Sequence, residues 1–208
     1  MEVKKNLLGL LLLPFCMGFL LAFMDVIYRL HVTEWSEAAF IAGAAAYPAV
    51  HHLLMKPRFL STFAHEMTHV LWGLFFRAKI RDVRIKRHGG FVNLSKTNPA
   101  IRLAPYFFPF YTVFVLLSAF VVKPDYLLIV YFLVGFTLSM HITSTFESLK
   151  VRQPDIYKTG VLFALPTIFI MNLLVIIIVL SLIAPGKVSV TAFIEKGFLR
   201  TLYLLRSI

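Results

Sequence analysis

Cysteine is nearly absent from this chain: among 208 residues only Cys16 carries a thiol, so no internal disulfide can form. Acid is scarce as well, with 10 Asp and Glu against 21 Lys and Arg, and charged residues of both signs together reach only 15%. Soluble domains run at about 25% charged, and so thin a supply cannot cover a surface facing water. That excludes an ordinary soluble globule and a disordered chain alike. The sequence shows no internal repeat and no low-complexity linker.

What is abundant is apolar. The hydrophobic class makes up 59%, Phe alone occurs 21 times, and the mean hydropathy is +0.81. These values point to an all-α polytopic membrane protein forming a single transmembrane domain over residues 1–208. The net charge of +11 then reads as basic loops against anionic head groups, with no nucleic-acid partner.

A bilayer core of about 30 Å needs roughly 20 helical residues. Six apolar runs approach that length: residues 7–28, 37–55, 59–76, 101–122, 126–146 and 160–184. The first is too long for a signal peptide and lacks a small-residue cleavage site. The second is rich in Ala and Gly, which suits close helix packing. The third carries His65, Glu66, Thr68 and His69, a polar load that lipid does not tolerate unless a cavity or another helix covers it.

Between the third and fourth runs, within about residues 78–98, Val83 and Ile85 precede His88-Gly89-Gly90, and Phe91 and Val92 follow. This pattern predicts a short re-entrant or interfacial β-hairpin around a glycine turn. The tail, about 188–208, alternates apolar and basic residues and predicts an interfacial amphipathic helix. With six spans the basic residues divide into twelve on the hairpin side, Lys150, Arg152 and Lys158 included, and nine on the other, Lys56 and Arg58 included. The excess marks the hairpin side as cytoplasmic.

The chemistry is concentrated in His65-Glu66-Met67-Thr68-His69. Residues four apart on a helix share a face, so both imidazoles can bind one Zn²⁺ while Glu66 takes a proton from metal-bound water. A catalytic zinc usually has three protein ligands and an open position. Asp155, Glu147 and His141 are the candidates for the third. Asp25 and Asp82 suit pairing with basic neighbours, Glu147 suits pairing with Lys150, and His51 and His52 fall at the opposite interface.

An H-E-x-x-H helix, a basic hairpin containing Gly-Gly-Phe-Val, and an aspartate at the edge of a late span, 86 residues after His69, together resemble the site-2 protease family of intramembrane zinc metalloproteases. The resemblance covers roughly residues 59–160. It implies zinc held by His65, His69 and Asp155, Glu66 as general base, and a substrate segment held along Val83, Ile85, Gly89, Gly90, Phe91 and Val92. The family's usual Leu-Asp-Gly reads Gln153-Pro154-Asp155-Ile156 here, with Gln153 in a position to supply the family's amide. The loops are too short for a PDZ domain, so the likeness is to a minimal member in a bacterial or archaeal cell membrane. Substrates would be membrane proteins with a transmembrane segment, and Gln153 and His141 are candidate oxyanion donors. A non-catalytic metal- or helix-binding protein, or a small transporter, is the alternative class, because those also carry ionisable groups in the membrane.

Asp155 has an obstacle of depth. His69 stands eight residues before Arg77, about 12 Å at the helical rise of 1.5 Å, so an aspartate at the start of the last span reaches zinc only if that start dips inward or the third helix ends early.

Overall fold

A computed structural model describes residues 2–53, 56–86 and 89–207. The chain is mostly helical: α1 (Glu2–Arg29), α2 (Trp35–Leu53), α3 (Arg58–Phe75), α4 (Pro99–Leu103), α5 (Phe110–Ser118), α6 (Leu127–Leu149), α7 (Pro154–Thr159), α8 (Val161–Ile183) and α9 (Val190–Arg206). One antiparallel pair of strands, β1 (Ile80–Lys86) and β2 (Gly89–Leu94), lies between α3 and α4. Val83 pairs with Val92 and Ile85 with Gly90, which is the expected hairpin. His88, placed in its turn, lies outside the described residues.

Three helices among the described residues are long and apolar enough to cross a membrane, within Lys5–Arg29, Pro124–Leu149 and Val161–Ile183. The run 101–122, expected as one span, is broken: Pro99–Tyr106 and Phe110–Ser118 meet at 72° and together make a fourth candidate. Pro105 and Pro109 remove backbone donors at that bend, so a straight helix cannot pass through it. α2 and α3 carry too many polar groups to meet the same standard.

The helices are ordered by backbone contact. α2 and α6 lie side by side in the same direction, since Gly43 meets Phe132 and Phe136 while His51, two turns on, meets Glu147. A Cβ on Gly43 would fall 1.8 Å from the Phe132 carbonyl oxygen, and one on Gly135 would fall 2.0 Å from that of Phe40, so only glycine permits this approach. α1 likewise runs with α8, with Gly9 against Leu162 and Cys16 against Pro166. Phe19, Val134, Ile177 and Phe193 join α1, α6, α8 and α9 in the main apolar core. α9 therefore lies on α1, fixed by Arg200 to Asp25 at 2.8 Å, with only its outer face left for lipid.

This arrangement corrects the sorting of loops. Lys56 Nζ lies 2.9 Å and His51 Nε2 3.2 Å from Glu147 Oε1, so the end of α2, the start of α3 and the end of α6 meet at one end of the molecule. Lys56 and Lys150 therefore share an end, although six alternating spans put them on opposite sides, and His51 is not at the far interface. Glu147 pairs with Lys56 and His51 instead of Lys150, because the helix packing brings those two side chains to it. α3 starts at this end and the segment after the hairpin is back there, where Arg102 donates to the Lys158 carbonyl at 3.2 Å.

Candidate functional site

α3 is the platform. It ends where Arg77 takes a left-handed φ of 56°, with Ala78 N donating to Gly73 O and Arg77 N to Leu74 O. That closure turns the chain directly into β1 and lays the hairpin on α3. Leu94 fills the space at Gly73, and Gly90 faces Glu66.

Helical spacing puts the His65 and His69 rings 4.9 Å apart between centroids. Asp155 comes to them on α7. Gln153 is the residue before that helix, Pro154 sits in its first turn, and the acidic Asp155 follows there, where the helix dipole favours a negative charge. Gly160, at φ 100°, separates α7 from α8. Ile156 is buried with Leu103, Tyr106, Phe107 and Ile168, which anchors α7 beside α4. Asp155 thus does not begin the last long helix, as expected, but occupies a short helix of its own. This resolves the depth obstacle: α3 and α7 meet at the same end, with Asp155 Oδ2 3.3 Å from His69 Nε2 and 3.6 Å from His65 Nε2.

One ligand atom from each of His65, His69 and Asp155 lies within 4.8 Å of the other two. The donor set fits a divalent metal for a specific reason. His69 Nδ1 is 3.0 Å from the Ile101 carbonyl oxygen, an acceptor only, so Nδ1 carries the hydrogen. In its neutral form, the form that binds a metal, the ring then points the lone pair of Nε2 at a carboxylate oxygen. Two acceptors face each other, and a cation between them satisfies both. Ile101 is itself fixed, because the Asn98 side chain caps α4 by accepting from Ile101 N at 2.8 Å.

Glu66 is 6% exposed and lies beside the His65, His69 and Asp155 cluster without joining it. A cavity of about 260 Å³ opens on His65 and Glu66, with Gly89, Gly90, His141 and Gln153 among its walls. His141 Nε2 is buried with no hydrogen-bond partner among the described residues. Val83, Ile85, Phe91 and Val92 do not line the cavity; among the hairpin's described residues only Gly89 and Gly90 do. Glu147 is engaged elsewhere.

Three supports have little or no signal in the residue types the motif names. The Ile101 carbonyl is backbone; Tyr106, edge-on to His65 at 5.3 Å, reads as one more aromatic; and Asn98 is visible only as a cap before Pro99.

A Cβ added at Gly90 would lie 2.8 Å from Glu66 Cγ and 2.7 Å from the Arg84 carbonyl oxygen. Gly90→Ala is expected to cost about 1–3 kcal/mol by overpacking, read as a lower thermal midpoint. An unchanged midpoint would show that the strand does not lean on Glu66.

Comparison with protein-family models, with curated proteins and with solved structures finds no match to this chain.

Proposed function

We propose that this protein is an intramembrane zinc metalloprotease that cuts peptide bonds in or near transmembrane segments of membrane proteins. The observation that carries this reading is the convergence of His65, His69 and Asp155 on one point, with two acceptors face to face, beside a buried Glu66 that opens on a cavity. A binding protein or a transporter has no need of a free carboxylate next to three metal ligands.

When bound, zinc supplies a Lewis acid for the scissile carbonyl and a water whose pKa is lowered to about 7. Glu66 accepts the proton of that water and passes it to the departing nitrogen. His141 and Gln153 both line the cavity, and their side chains are the candidate donors to a developing oxyanion. A helix must unwind before it is cut, and its freed backbone groups need partners in a medium that offers none. The hairpin edge at Gly89 and Gly90 supplies such partners, close to Glu66.

The chain crosses the membrane five times in this reading, through α1, α2, the bent α4–α5 segment, α6 and α8, with α3 and the hairpin returning to one side. Lys56 and Arg58 then join the side of Arg102, Lys150, Arg152 and Lys158, which raises the excess of basic residues at the site end above the six-span count. Short basic loops stay in the cytoplasm, so the zinc site faces it. In a Cys16→Ser background, a cysteine replacing Lys86 is expected to react only from the cytoplasmic side and one replacing Lys187 only from outside. The reverse pattern would overturn the orientation.

Cleavage of a single-span substrate by the purified protein, with metal removed and zinc restored, tests the function. Activity unaffected by removing the metal would contradict it.

A further inference from the structure

The cavity at Glu66 does not end there. A second one, of about 240 Å³, adjoins it, and Ser61, Thr62, Ser144, Ser148 and Gln153 line both. Ser61 and Ser144 are hydrogen-bonded at 2.9 Å. One polar groove therefore runs from Glu66 to the exposed start of α3, where Lys56, Arg58, His51 and Glu147 stand.

Its charge is one-sided. Glu147 is the single carboxylate of the outer cavity, and both Lys56 and His51 already hold it. Arg58 is exposed and forms no ion pair among the described residues, and the first turn of α3 contains no acid. On the strands beside Glu66 the one acid among the described residues, Asp82, is held by Arg84 at 3.2 Å.

We infer that this groove selects substrates by charge: it takes an extended, acidic flank of a membrane-spanning segment and seats it between Glu66 and Arg58. The inference rests on the peptidase reading and names the substrate class for that site. Cations spread over an open face suit an anionic leaflet. Cations in the wall of a groove that leads to Glu66 meet whatever reaches Glu66. A carboxylate in the outer cavity gains a partner in Arg58, whereas a basic flank there meets like charge, with Glu147 already held by Lys56 and His51.

The test uses the full chain in neutral detergent, loaded with zinc and carrying Glu66→Gln so that bound peptide stays whole. Two fluorescent single-span peptides, identical except for three acidic or three basic flanking residues, are compared by anisotropy. The acidic peptide is expected to bind about tenfold more tightly at low salt, with the gap shrinking as salt rises. Arg58→Gln is expected to narrow the gap and Arg58→Glu to close or reverse it. Equal binding overturns the inference, and so does a gap that neither substitution moves. If added anionic phospholipid weakens both peptides equally while Arg58 has no effect, the cations serve the leaflet and the inference fails. Charge-selective binding without cleavage by the unsubstituted protein would leave the groove's selectivity standing and overturn the peptidase reading. Equal cleavage of both peptides would do the opposite.

Discussion

Glu66→Gln is expected to keep its zinc and its fold but to lose cleavage by about 10²–10⁴-fold, the range general-base catalysis supplies. The amide is close in shape to the carboxylate, and the contact with Gly90 is made through Cγ and Cδ, which the substitution retains. What it cannot do is accept a proton from water. Glu66 is not one of the three residues whose ligand atoms converge, so metal content should match the unsubstituted protein. The expected result is therefore a split: normal zinc, normal thermal midpoint, and no product above background. Turnover close to that of the unsubstituted protein would move the base elsewhere and favour a protein that binds membrane helices without cutting them.

The hairpin and the His65–His69 face were legible because each depends on residues close in sequence. Alternation around a glycine turn gives Val83 opposite Val92, and a spacing of four gives two imidazoles on one face of α3. Asp155 stood among three candidates on the residues alone, and the resemblance singled it out. Its place depends on Pro154 opening a short helix and Gly160 closing it, so that α7 stands apart from α8. The sequence showed the proline but gave no measure of how far the following residues would run before turning.

The membrane path was harder to see. Hydropathy counts apolar residues and is blind to where an apolar run bends, so 101–122 passed as one span despite Pro105 and Pro109. It is equally blind to two helices starting at the same end. The parallel course of α2 and α6 comes from the close contacts at Gly43 and Gly135, which involve backbone atoms of residues about 90 apart in the chain. Once that contact is known, Lys56 moves to the end where Glu147 and Lys150 lie.

Zinc content of purified protein, measured beside single alanine substitutions at His65, His69, Asp155, His141 and Glu147, tests the metal site most directly. The unsubstituted protein is expected to hold about one zinc per chain. His65→Ala, His69→Ala and Asp155→Ala should each lose most of it, because a three-ligand site reduced to two loses affinity steeply. His141→Ala and Glu147→Ala should retain it: the first contributes only to the cavity wall and the second is committed to Lys56 and His51. Full zinc in Asp155→Ala, with loss in His141→Ala or Glu147→Ala, would contradict the assignment, and equal zinc in all five variants would remove the site altogether.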